Sequence, residues 1–206
     1  MGCGSRAGKK EQHSSGLAMI DSDKCRGCRK CLANCANDGL HFDEQSRKMS
    51  VTSKCVGCGN CLGACNFDAI HFEQDTANEL LSRRMAEYAK AVVDGRPQFH
   101  ISLIMDVSPG CDCHAENDSP IIPDLGMFAS FDPLAIDQAC VDACLAATPI
   151  PNGRLAGLMK HKDFVDYGNH FENLHPGSDW KSCMEQAERI GLGSRDYELI
   201  TIKTDF

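Results

Sequence analysis

Residues 24–35 read Lys-Cys-Arg-Gly-Cys-Arg-Lys-Cys-Leu-Ala-Asn-Cys, and residues 54–65 repeat the frame as Lys-Cys-Val-Gly-Cys-Gly-Asn-Cys-Leu-Gly-Ala-Cys. Each is a C-x2-C-x2-C-x3-C run, and the second starts thirty positions after the first. Thiolates are soft ligands, and eight of them in two matched runs favour iron–sulfur chemistry. Structural zinc uses four ligands, usually two CxxC pairs, and has no use for a third cysteine at this spacing in both halves. A disulfide framework needs an oxidising compartment, and no signal peptide precedes these cysteines.

The doubled run resembles the ligand pattern of two-cluster bacterial-type ferredoxins, in which the fourth cysteine of each run serves the other cluster. That resemblance implies two [4Fe–4S] clusters, one on Cys25, Cys28, Cys31 and Cys65 and the other on Cys55, Cys58, Cys61 and Cys35. The usual run ends in Cys-Pro, whereas Ala36 and Asn66 follow the fourth cysteines here. Two additional backbone N–H groups result, and either one, aimed at a sulfur, would raise that cluster's reduction potential. The first loop is also locally basic, with Lys24, Arg26, Arg29 and Lys30 against only Lys54 in the second. Those cations either form a solvated surface or raise the potential of the nearer cluster, an effect that solvent would screen.

The elements that position the runs are legible around them. Gly39-Leu40-His41-Phe42 matches Ala69-Ile70-His71-Phe72, so each half reads as loop, short helix and short strand, the strand pairing with its pseudo-symmetric mate. So small a module has little hydrocarbon core, and inorganic clusters replace one. Residues 1–20, rich in Gly, Ser and Lys and without periodicity, read as a loop or arm, and 21–74 as the two-cluster domain. Gly4-Ser5-Arg6-Ala7-Gly8-Lys9 has the wrong spacing for a phosphate loop. Arg6 stands where the myristoylation frame needs Ser or Thr.

Residues 75–206 read as an α/β layer domain. Thr76-Ala77-Asn78-Glu79 is a capping box for a helix that Gly95 closes. His100–Val107 and Ile121–Ala129 are extended runs, Asp132 caps a helix that starts with Pro133 and reaches about Ala147, and further helices cover 160–171 and 178–190. Residues 197–203 alternate like a terminal strand. The fold class is therefore α+β, a two-cluster ferredoxin-like module joined to an α/β layer domain.

A second constellation follows the first extended run of that domain: Cys111-Asp112-Cys113-His114, with Asp118 and Asp124 beyond it. Cys111, Cys113 and His114 could hold a transition metal or offer a thiol nucleophile, or could line an ordinary loop. Cys140 and Cys144 share one helix face and either complete that site or fill the core as small side chains. Cys183, the lone cysteine of its segment, reads as structural, and His161, His170 and His175 have no obvious partners in the sequence.

The formal charge of −8 falls to about −12 once two clusters load. Nucleic acid is excluded as a partner on that balance, and a redox protein with a basic docking patch is favoured. No stretch approaches the ~20 apolar residues of a membrane span, and free-thiol ligands without an export signal point to the cytoplasm.

Several segments are together similar to the C-terminal portion of the uncharacterised Fe–S centre protein family (domain of unknown function 362). They are Met1-Gly2-Cys3-Gly4-Ser5-Arg6, Cys111-Asp112-Cys113, Asp118-Ser119-Pro120-Ile121-Ile122-Pro123-Asp124-Leu125-Gly126, Ala129-Ser130-Phe131-Asp132-Pro133-Leu134-Ala135-Ile136-Asp137, and Leu192-Gly193-Ser194 with Tyr197-Glu198-Leu199-Ile200. The resemblance implies a two-[4Fe–4S] insert within a larger α/β protein. It also implies an upstream α/β region, which makes this chain an N-terminally incomplete form or the partner of a separate N-terminal α/β subunit. Function on this reading is single-electron transfer through two clusters within a larger redox protein or complex. The alternative is an oxidoreductase or metal-dependent enzyme with its site around Cys111, Cys113 and His114.

Overall fold

The computed structural model of the chain describes residues 4–14, 16–72, 78–110 and 118–202. Helices and short sheets are shared between two units, Met1–Tyr88 and Ala89–Phe206, and the protein is α+β.

In the first unit Ser5 opens α1 (Arg6–His13), its hydroxyl oxygen accepting the Gly8 N–H at 3.1 Å. The segment expected to be an arm is therefore helical, because a capping serine outweighs the low apolar content. The chain continues through β1 (Met19–Ile20), α2 (Lys30–Ala33), β2 (Leu40–Asp43), β3 (Lys48–Val51), α3 (Asn60–Ala64) and β4 (Ile70–His71) into α4 (Asn78–Val93), which crosses the unit boundary after Tyr88. In β2 Leu40 and Phe42 are buried while His41 and Asp43 face out, the period-two alternation of a half-buried strand.

The thirty-residue repeat is written into the backbone. Gly27 and Gly57 have φ of 62° and 71°, Arg29 and Gly59 have 61° and 80°, and Asp38 and Asp68 have 51° and 47°. The strands do not pair as expected with their pseudo-symmetric mates. β2 pairs antiparallel with β3, Leu40 opposite Val51 and Asp43 opposite Lys48. β4 pairs antiparallel with β1, Ile70 opposite Ile20 and His71 opposite Met19. Each run is preceded by a short strand that the sequence reading did not identify, and that strand pairs with the one that follows the opposite run. For β2 and β3 the reason is loop closure: a short hairpin through Arg47 costs less entropy than reaching β4.

The core of this unit is Ala18, Leu40, Phe42, Met49, Ala69 and Ile70 together with Cys25, Cys31, Cys61 and Cys65. Four of the ten buried residues are thiols, so hydrocarbon packing alone supports little of it.

In the second unit β5 (His100–Ile104) pairs antiparallel with β6 (Gly126–Ser130), and α5 (Pro133–Ala146) packs against both strands. The layering expected from the sequence is thus one helix on a two-stranded sheet. Ile101, Leu103 and Met127 are 60%, 61% and 68% exposed on these strands. Ile104, Ile121, Ile122, Cys144, Leu155 and Leu174 form the core.

α6 (Arg154–Met159), α7 (His170–Leu174) and α8 (Trp180–Arg189) complete the unit. The helix expected over 160–171 is absent. Gly168 at φ 80° breaks the chain, and Asn169 then caps α7 by accepting the Glu172 N–H. α8 starts two residues after the expected Ser178, with Asp179 as its cap. Residues 197–202 form no strand, and Leu199, Ile200 and Ile202 are exposed. Among the described residues no helix is long and apolar enough to cross a membrane.

Two cysteine-lined cavities as candidate metal centres

The eight cysteines of the two runs sort into two sets of four. Cys25, Cys28, Cys31 and Cys65 line one cavity, partly open to solvent, with walls that include Ile20, Met49 and Ile70. Cys35, Cys55, Cys58 and Cys61 line the other, also partly open to solvent, with walls that include Ala18, Leu40 and Phe72. Each set takes three cysteines from one run and the last cysteine of the other. α2 and α3 bring this about: each carries the third cysteine of its run, and the two helices pack together so that the fourth cysteine reaches the neighbouring cavity.

The loops that shape the cavities depend on glycine at two equivalent points. Gly27 and Gly57 both occupy the left-handed region. A Cβ at Gly27 would lie 2.2 Å from the Arg47 carbonyl oxygen, and one at Gly57 would lie 2.8 Å from that of Gly16. Successive left- and right-handed residues turn backbone N–H groups toward one side, the arrangement that accommodates anions.

All eight thiols are free. Burial pushes the Cys61 thiol up to about 11, with the neighbouring Cys55 and Cys58 adding to the rise, and burial likewise raises Cys31. Without a metal both remain protonated at neutral pH, so a metal that binds them must displace protons. The Gly39 N–H donates to Cys35 Sγ at 3.2 Å. Ala36 and Asn66, the residues in place of proline, are exposed.

Arg26 and Arg29 line the first cavity, and among the described residues no cation lines the second and no carboxylate lines either one. Lys48 Nζ donates to the Cys25 carbonyl at 2.8 Å, and the Arg29 guanidinium lies 3.9 Å from the Phe42 ring centroid. Lys10, on α1, is only 7% exposed. Its Nζ donates to the carbonyls of Gly16 and Gly57 and lies 3.9 Å from the centroid of Phe72, a wall of the second cavity. Burial lowers the Lys10 pKa, against the opposing pull of Cys55, Cys58 and Cys61. The sequence reading did not single out Lys10 or Lys48; Phe72 was visible only as the repeat of Phe42.

Among the described residues no three His, Cys, Asp or Glu side chains converge on a site for a single metal ion. A cubane does not need such convergence, because each thiolate bonds a different iron and the four spread around a volume. Two thiol quartets around apolar-walled cavities fit that group in donor chemistry and number.

Cys111, Cys113 and His114 lie outside the described residues. Of their expected neighbours, Asp118 is exposed and Asp124 accepts the Asp106 N–H at 2.9 Å. Cys144 is buried in the core of the second unit and Cys140 packs against that core, as small side chains do. The histidines have partners that sequence could not supply. His170 Nε2 contacts the Ala147 carbonyl, His175 Nε2 contacts the Pro109 carbonyl, and His161 faces Asp163 at 3.8 Å.

A family model described as Domain of unknown function (DUF362) matches residues 1–142. No curated protein and no solved structure matches the chain.

Proposed function

The chain belongs to the family described as Domain of unknown function (DUF362), and within it we propose an iron–sulfur protein that binds two [4Fe–4S] clusters and transfers single electrons. The observation that carries this reading is the sorting of the eight thiols, three from one run and one from the other around each cavity. The exchange of Cys35 and Cys65 is what a ferredoxin-type ligand pattern requires, and neither zinc pairs nor core cysteines call for it.

When bound, the clusters supply one-electron redox chemistry. The residues of this chain hold and insulate them. Cys25, Cys28, Cys31 and Cys65 would ligate the first and Cys55, Cys58, Cys61 and Cys35 the second. Ile20, Met49 and Ile70 exclude water from one cavity, and Ala18, Leu40 and Phe72 from the other. Cys28 and Cys58 are exposed, which leaves an edge of each site open to a redox partner. Given the net charge of −8, that partner presents a basic patch. The protein works in a reducing, cytoplasmic setting as part of a larger redox protein or complex.

Anaerobic purification with iron and acid-labile sulfide analysis tests the proposal. About eight of each per chain are expected. Cys65→Ser should perturb the first site and Cys35→Ser the second, each leaving the other quartet loaded. Zinc without sulfide would remove the reading.

A further inference from the structure

The two sites are near-equivalent in sequence and unequal in their surroundings. The first run has more cations, but they are solvated or paired. Lys24 is 59% exposed and 3.6 Å from Asp21, and Arg29 is 50% exposed and 3.4 Å from Glu44. Arg26 and Lys30 are exposed, and Lys48, on the Cys25 carbonyl, is only partly buried. The field of such charges is screened by water and mobile ions.

Lys10 is different. The cysteine repeat is broken where α1 sits: Gly59 stands at the position of Arg29. A Cβ at Gly59 would lie 3.2 Å from both the Ala7 carbonyl oxygen and Lys10 Cδ, so glycine there admits α1 against α3. α1 thereby buries an ammonium against the second cysteine loop, fixed on the carbonyls of Gly16 and Gly57 and on the Phe72 ring. The nearby carboxylate of Glu11 is exposed and accepts the Tyr88 hydroxyl.

A reduced cluster carries one more negative charge than an oxidised one, and a buried cation favours that charge far more than an exposed one does. We propose that Lys10 sets the two clusters apart, raising the reduction potential of the one held by Cys35, Cys55, Cys58 and Cys61, so that the first electron taken up rests there. The first cluster is then the lower-potential relay. This inference rests on the reading that each cavity holds a [4Fe–4S] cluster, and it reverses the ranking that loop charge alone suggests. Lys10 is a positioning residue for charge and ligates nothing.

The test is a redox titration of the full chain followed by electron paramagnetic resonance, with metal and sulfide content measured on the same samples. Cys28→Ser and Cys58→Ser mark the signals of the first and second clusters. In the unmodified chain the Cys58-marked signal should appear first on reduction. Lys10→Met should lower that step alone by about tenfold in the electron's equilibrium constant, ~59 mV for one electron. Lys48→Met should move neither step as far, and Lys10→Arg, where it loads, should keep the potential high. Reduction of the Cys28-marked cluster first overturns the proposal even if Lys10→Met does not load. Equal shifts of both steps, or no shift with full loading, also overturn it. Absence of iron and sulfide from the unmodified chain is the separate result that removes the cluster reading, and this inference with it.

Discussion

The Asp132 carboxylate ties the start of α5 to Ser194, sixty-two residues further on. Its Oδ1 accepts the N–H groups of Leu134 and Ala135 at 2.8 and 3.0 Å, and its Oδ2 accepts the Ser194 N–H at 2.9 Å. One side chain thus satisfies two orphan donors of a helix and one of a distant loop. The two stretches it joins are among those that carry the family resemblance.

Asp132→Ala should cost about 1–2 kcal/mol, the usual loss of a capping side chain with a further bond. The denaturation midpoint of the second unit reports the loss, and faster exchange of the Ser194 amide locates it. Asp132→Asn should lose less, since asparagine also caps.

Gly193→Ala should be worse than a surface change, because a Cβ there would meet Asp132 Oδ1 at 2.0 Å while three N–H groups hold that carboxylate. A loss of roughly 1–3 kcal/mol is expected. On the Asp132→Ala background the same change should be nearly neutral, and a double-mutant cycle measures that coupling.

Tyr88 gives a pH prediction. Its hydroxyl donates to Glu11, and that bond, with some burial, pushes its pKa from 10.0 up to about 12. A folded pKa above the unfolded one favours the protonated form, so the stabilisation is complete below pH 10 and fades as pH rises through about 12. Tyrosinate absorbance followed against pH should lose its latest component in Tyr88→Phe. If the variant titrates like the unmodified chain, the Glu11 contact is absent in solution.

Removal of iron by an anaerobic chelator should loosen Met1–Tyr88 far more than the second unit. Amide exchange should quicken in β2, β3 and around α2 and α3, while α5 and β5 keep their protection. Equal loss in both units would contradict a core built around thiols.

What the sequence disclosed follows physical range. The two cysteine runs were legible because ligand spacing is a local property. The grouping of Cys65 with the first run and Cys35 with the second was implied only by the resemblance to two-cluster ferredoxins. Also legible were α5, whose Asp132-Pro133 start is the observed one, and α8, whose end falls within a residue of the expected position. β1 and β3 went unread because two to four residues give too little periodicity. α1 was hidden by its polar composition, although its capping Ser5 was in view. The expected strand at 197–203 had the right alternation but has no partner over 197–202, and alternation alone does not supply one. Lys10 could not be found from sequence at all, since its meaning depends on Gly59 and Phe72, far along the chain.

The pairing of β1 with β4 has a consequence in time. Met19 is made early on the ribosome, yet its partner His71 is fifty-two residues behind it, and Cys25 must likewise wait for Cys65. The first site is therefore the one that begins first and closes last. During synthesis the second quartet is complete as soon as Cys61 emerges, because Cys35 has already appeared. Long-range closure of this kind slows folding, so an interruption between residues 61 and 65 would leave a chain with one complete thiol quartet and three waiting thiols.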